Sequence, residues 1–146
     1  MRKFEIISKY QKENINIPVR ATKQSAGYDL ESAFDYKIKP NEIVLVETGL
    51  KVKLNSNEAL FVYPRSSLGI KKGLILSNAV GIIDADYYNN KDNEGHIMIP
   101  LLNFSQKEVT INKGERVAQG VFQNYLTTTN DQVKSIRKGG FGSSGK

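Results

Sequence analysis

Between residues 36 and 63 the chain reads YKIKPNEIVLVETGLKVKLNSNEALFVY, with apolar and polar residues alternating and turn formers as the only interruptions. A period of two sends successive side chains to opposite faces of a strand and gives a helix no apolar stripe to bury. YKIK is one strand, Pro40 and Asn41 make a turn, and 42–54 carries the alternation on through Lys51, Val52, Lys53 and Leu54. A second turn at 55–57 leads into a short apolar strand over 59–63. The flanks obey the same rule. Phe4, Ile6 and Ile7 open a strand within 3–10, 96–104 reads as a buried strand, 108–111 as another, Lys113 and Gly114 as a turn, and 116–125 as the last strand. About ten short strands with such regular turn signals predict an all-β sandwich, jelly roll or barrel. One brief helix is expected, capped by Ser66 or Ser67 and running to Lys72.

A chain of 146 residues suits one domain and needs no covalent staple; it contains no cysteine. That absence, with no apolar stretch of signal-peptide length behind Arg2 and Lys3, argues against secretion, and no apolar run approaches the roughly 20 residues of a membrane helix. The expected location is the cytoplasm, without membrane contact. Lys and Arg outnumber Asp and Glu by 21 to 15, a formal charge of +6 that favours a polyanionic partner. The excess is scattered, with small clusters only at Lys71-Lys72 and Arg137-Lys138, so a triphosphate accounts for it as well as a nucleic acid does. No stable nucleic-acid binding is expected.

Chemistry concentrates in residues 78–90, NAVGIIDADYYNN, where two carboxylates, a glycine and two tyrosines end an apolar run. Gly81 can take positive φ, so a reversal is expected between Val80 and Asp84, with Asn78 and Tyr87 facing each other across a hairpin. Along one straight strand Asp84 and Tyr87 would point to opposite faces, and a site containing both requires a turn. Taken alone, Asp84 and Asp86 read equally as solvated charges or as fragments of a calcium loop, although the further oxygen ligands of such a loop are missing. PRSSLG, from Pro64, sets an arginine and two hydroxyls at a helix start, which serves either an anion or an ordinary cap. Arg116 and Gln119 lie three apart on a strand and face opposite sides unless it bends. The end of the chain, RKGGFGSSGK, has a linker's composition except for Phe141.

AGYDL at Ala26, PRSSLG at Pro64, NAVGIIDADY at Asn78, ERVAQG at Glu115 and GGFGSSG at Gly139 resemble, in order and spacing, the five motifs of the homotrimeric dUTP diphosphatases, the dUTPases. The resemblance covers 26–145 and implies a distorted jelly-roll or β-barrel domain over 1–126 with one short helix, and a flexible arm over 127–146 that closes on the site. It implies hydrolysis of dUTP to dUMP and pyrophosphate by water attacking the α-phosphorus, which limits uracil in DNA and supplies dUMP for dTMP synthesis. Asp84 would activate the water, Gln119 would orient it with Arg116 as supporting charge, and Arg65, Ser66 and Ser67 would hold phosphates, Ser66 at the departing oxygen. Gly81, Ile82 and Ile83 would read uracil through their backbone, helped by the Asn78 side chain. Met98 would line the base pocket or fill the core, and Tyr87 would pack on deoxyribose. Phe141 would stack on the base, with Gly142 allowing close approach and Ser143 and Ser144 donating to phosphates. Mg²⁺ would travel with the triphosphate and meet Asp29 through water. Three chains would share each site, the hairpin, phosphate segment and arm coming from different copies.

Two departures stand out. Arg137 lies four residues before Phe141, where the family's usual arm has five, so either Arg137 or Lys138 could contact the γ-phosphate. Residues 89–94 look like an insertion relative to shorter members, followed by His96, the only histidine, which reads as structural or solvent-facing. The competing readings are a dCTP deaminase of the same fold, a regulatory module that binds protein, and a nucleic-acid binder resting on charge alone.

Overall fold

The computed structural model describes residues 1–142, and Ser143 and Ser144 lie outside the described residues. In chain order the strands are β1 (Lys3–Ile6), β2 (Tyr28–Glu31), β3 (Tyr36–Ile38), β4 (Ile43–Glu47), β5 (Leu50–Lys53) and β6 (Glu58–Tyr63). The helix α1 (Ser66–Lys72) follows, then β7 (Leu74–Leu76), β8 (Gly81–Ile83), β9 (Met98–Asn103), β10 (Val109–Ile111) and β11 (Arg116–Asn124). Every pairing is antiparallel: a four-stranded sheet β2-β11-β6-β8, a three-stranded sheet β4-β9-β7, and the pairs β1-β5 and β3-β10. The arrangement is jelly-roll-like with one short helix, as expected. Its sheets do not close into a barrel, because β7 and β8 each end a sheet and do not pair with each other.

Period-two alternation builds the core directly. On β9, Ile99, Leu101 and Asn103 point inward while Met98, Pro100 and Leu102 face out. Leu30, Ile38, Val46, Leu60 and Val117 join them from neighbouring strands, all fully buried. Each such side chain gains about 1.5–3 kcal/mol over an exposed one, so inward positions tolerate few polar residues. Asn103 is one, and it is satisfied: its amide donates to Ile38 O and Lys107 O, and its carbonyl accepts from Ser105. Among the described residues, no buried side-chain polar atom lacks a partner.

Several local expectations are corrected. The continuous strand over 42–54 is two strands in different sheets, broken where Gly49 takes φ +73° and Thr48 Oγ1 donates to Ile97 O at 2.6 Å. Lys51, expected on the solvent face, is buried because Glu94 and Asn89 accept from its ammonium at 2.5 and 2.7 Å. No serine caps α1: Arg65 is the cap residue and makes no side-chain cap bond, and Ser66 is the first helical residue. His96 precedes β9 instead of opening it, and of its two expected roles the structural one holds: it is buried and its Nε2 accepts from Gly49 N at 3.0 Å.

Candidate active site

Gly81 does not make the reversal in the 78–90 segment. The chain turns earlier, over 77–80, where Ala79 has φ +62° and Ala79 N donates to Leu76 O at 3.0 Å. Gly81 answers a different need, since a Cβ there would press on Val62 Cβ at 3.3 Å across the β6-β8 pairing. After β8, Tyr87 N donates to Asp84 O at 3.1 Å and winds 85–87 into one 3-10 turn. That turn brings Asp84 and Tyr87 to one cavity, as the sequence required.

The cavity, of about 270 Å³, opens between β8, the last strand of one sheet, and β7 and β9 of the other. Asn78, Gly81, Ile82, Ile83, Asp84 and Tyr87 form one wall, Met98 and Pro100 another, and Arg137, Phe141 and Gly142 reach it from the end of the chain. Being the last strand, β8 leaves one edge of backbone N–H and C=O groups without a strand partner. Tyr87 is buried; its hydroxyl donates to His96 O at 2.9 Å and accepts from Asn93 Nδ2 at 2.8 Å. Burial pushes the Tyr87 phenol above its usual range, so it stays a donor at neutral pH. Burial holds His96 below the usual histidine range, which keeps it neutral beside the same cavity.

Arg137 is the arm's anchor. Its Nη2 donates to Asp84 Oδ2 at 2.7 Å, its Nε donates to Asp86 Oδ1 at 2.8 Å, and the guanidinium lies 5.6 Å from the Tyr87 ring centre. The Arg137 side chain is 9% exposed while Asp84 and Asp86 are 51% and 54% exposed. Pairs this open to water contribute about 0–1 kcal/mol each, so the anchor is weak enough to be exchanged. Lys138 is exposed.

A second cluster stands apart. Asp29 on β2 faces Arg65 Nε at 3.0 Å and Arg116 Nη1 at 3.6 Å. A bulge in β11 between Arg116 and Ala118 buries Val117 and Ala118 in succession, so Arg116 and Gln119 share a side despite their spacing. Gln119 Nε2 donates to Pro64 O at 3.1 Å, and its carboxamide lies so close to Gly27 that a Cβ there would collide with it. Arg65, Ser67 and Arg116 line a cleft with Lys71 and Lys72, and no residue of this cleft lines the first cavity. Ser66 is exposed at the start of α1. Among the described residues, no three His, Cys, Asp or Glu side chains converge to hold a metal. Asp29, between two guanidiniums, opposes direct cation ligation, but a carboxylate has about four lone-pair sites and two arginines leave some of them to water.

Sequence reasoning thus found the residues of both clusters, and the resemblance implied that they meet only between copies; within one chain the two share no lining residue. Sequence reasoning missed Asp86 as an anchor, Asn93 behind Tyr87, and Val62 and Pro100 as lining. The D-x-D spelling flagged Asp86; nothing in the sequence flagged the others.

The dUTPase family model matches residues 13–145. A deoxyuridine 5'-triphosphate nucleotidohydrolase of Lactococcus lactis is 52% identical, covering 99% of this chain and 98% of its own, and one of Coxiella burnetii is 39% identical over 98% and 95%. The crystal structure of dUTPase from Streptococcus mutans superposes with a TM-score of 0.84 at 46% identity, covering 88% of this chain and 99% of that one. With a family match spanning nearly the whole chain and motifs that the fold gathers into these two clusters, this chain belongs to the dUTPase family.

Proposed function

We propose that the two clusters serve one reaction, the hydrolysis of dUTP to dUMP and pyrophosphate, and that copies of the chain bring them together. The chain is a dUTP diphosphatase; the division of labour among its residues is our reading. The observation that carries it is the pairing of an apolar, nucleoside-sized cavity bearing Asp84 with a separate cleft bearing Arg65 and Arg116. A volume near 270 Å³ falls just below the ~300–1,000 Å³ of pockets that enclose a whole ligand, so a triphosphate must project beyond it.

In this reading uracil enters beside β8, whose free backbone edge offers the donor and acceptors the base needs, with the Asn78 side chain assisting. The wall at Tyr87 packs on deoxyribose and leaves no space for a 2′-hydroxyl. Met98 lines the base pocket, and Phe141 closes on the base with Gly142 permitting close approach. Arg137 rests on Asp84 and Asp86 without nucleotide, and a triphosphate competes for that guanidinium with more charge than two half-exposed carboxylates. Its transfer to the phosphates would free Asp84 to take a proton from the attacking water, a contribution of about 10²- to 10⁴-fold. The phosphate cleft supplies the remainder by holding charge in line: Arg65, Ser66 and Ser67 toward the phosphates, Gln119 toward the water and Arg116 beside it. Mg²⁺ accompanying the triphosphate would neutralise its charge, held on the protein side by Asp29 through water. Lys138 remains an exposed cation for the γ-phosphate, and Ser143 and Ser144 complete the phosphate contacts.

A trimer is the assembly we propose. The outer face of the β4-β9-β7 sheet supports a covering copy: Ile43, Leu45, Ile75, Met98, Pro100 and Leu102 point outward in register, and Ile43 is 58% exposed. The linker to the arm leaves Leu126, Val133 and Ile136 exposed as well. In the single chain the arm meets its own Asp84, Asp86 and Asp92, unlike the three-way division the resemblance implies, and the same local contacts are open to a neighbour's arm. No helix is long and apolar enough to cross a membrane among the described residues, and a cytoplasmic enzyme acting on free nucleotides is the reading we adopt.

The test is product analysis with dUTP, dTTP, dCTP and UTP. Pyrophosphate release from dUTP alone is expected; ammonia from dCTP would replace the diphosphatase with a deaminase.

A further inference from the structure

Residues 89–94 interrupt the chain between Tyr87 and β9, and they form a built turn: Asn89, Glu94 and Gly95 all take positive φ. The turn is fastened below to the body, where Glu94 accepts from Lys51 Nζ, from Ser8 N at 3.0 Å and from Ser8 Oγ at 2.9 Å. Above, its side chains are spent in two directions. Asn90 donates to Tyr87 O and to Asn93 Oδ1, each at 2.8 Å, and its own Oδ1 accepts from Asp92 N and Asn93 N. Asn93 Nδ2 then reaches the Tyr87 hydroxyl. Asp92 points the other way, to the arm, and its Oδ2 accepts from Gly140 N at 2.7 Å. Gly140 is buried there, and a Cβ on it would meet Asn93 and Asn90 at 3.1–3.2 Å.

We propose that this turn is the dock of the C-terminal arm, with Asp92 as the residue that seizes the arm's backbone at Gly140 and Asn93 as a positioning residue for Tyr87. The inference rests on the dUTP reading only for its kinetic consequence; the dock itself is a contact of the ligand-free chain. The Asp92 to Gly140 hydrogen bond falls one residue before Phe141 and three after Arg137, so it sets where the aromatic ring and the anchoring guanidinium arrive. A carboxylate accepting a backbone N–H is among the stronger hydrogen bonds available to a half-exposed site. One turn therefore ties the ring that meets the sugar to the arm that covers the base.

Two measurements on the full-length protein test it. Tryptic cleavage after Arg137 and Lys138 without nucleotide should quicken about tenfold in Asp92→Ala, the worth of one hydrogen bond to the backbone, and stay within about threefold of the unmodified rate in Asp92→Asn, whose neutral carboxamide oxygen still accepts. For the reaction, Asp92→Ala should raise KM for dUTP about tenfold with kcat within about twofold, again restored in Asp92→Asn. Equal cleavage rates in all three proteins would overturn the dock. So would a loss shared by Asp92→Ala and Asp92→Asn together with a lowered melting temperature, which marks a role in folding. An unmodified protein that releases no pyrophosphate from dUTP would instead strike the functional reading, while the cleavage rates would still decide the dock.

Discussion

The phosphate cleft and the nucleoside cavity are built from opposite materials. The cleft is lined by α1, its cap residue Arg65 and the start of β11, and carries Arg65, Arg116, Lys71 and Lys72, with Asp29 of β2 against the two arginines and Glu115 against Lys72. The cavity stands at sheet edges and turns, carries Asp84 and Asp86, and borrows its cation from an arm without helix or strand among its described residues. Cations fixed on a helix and a paired strand suit a ligand that always brings the same negative charge. Carboxylates covered by a removable arginine suit a base that must be exposed only when that charge has arrived.

The largest effect that would break this contrast is at Asp84. Asp84→Asn should lower kcat about 10²- to 10⁴-fold with little change in KM, measured by pyrophosphate release. Mixed trimers sharpen it: Asp84→Asn chains combined with chains truncated before Arg137 should regain activity where arms exchange between copies, as the family resemblance implies, and stay inactive where each arm serves its own hairpin.

A smaller effect separates the two arm cations. Arg137→Ala removes the guanidinium proposed to pass from Asp84 and Asp86 to the triphosphate and should lower kcat/KM for dUTP about tenfold or more, whereas Lys138→Ala, exposed in the ligand-free chain, should cost about threefold or less. A reversed order would move the anchor to Lys138.

The smallest effect concerns stability and belongs to the cavity side alone. His96 is held low by burial, so below about pH 6.5 the unfolded chain takes a proton the folded chain refuses, and stability should fall as pH drops through that range. His96→Gln, which can still accept from Gly49 N, should flatten the slope of melting temperature against pH near 6. Glu58 acts in a separate window: its bond from Arg2 lowers it from 4.5 to about 2, so its contribution is lost only as pH falls between those values.

Much of this was legible beforehand because strands announce themselves. Alternation and apolar runs marked β1, β3 to β6 and β9 to β11 but not β2 or β7, and the five motifs named both clusters residue by residue. The misreadings share a cause: each involved a residue whose backbone angle or partner was chosen by a distant segment. Gly81 looked like the hinge because glycine can take positive φ, yet Ala79 turned and Gly81 was needed for its contact with β6. Lys51 looked exposed until Glu94, 43 positions later, gave its ammonium a partner. Arg116 and Gln119 looked opposed until a bulge spent one residue and put them side by side.

By itself, then, the order of residues determined an all-β chain, its core positions and the chemical types available to the site, because periodicity and residue chemistry act locally. Only the tertiary structure decided that Arg137 rests on Asp84 and that Asp92 meets the backbone of Gly140. Those are contacts between segments about 50 residues apart or more, and which of them form depends on how two sheets with unpaired edges settle against each other.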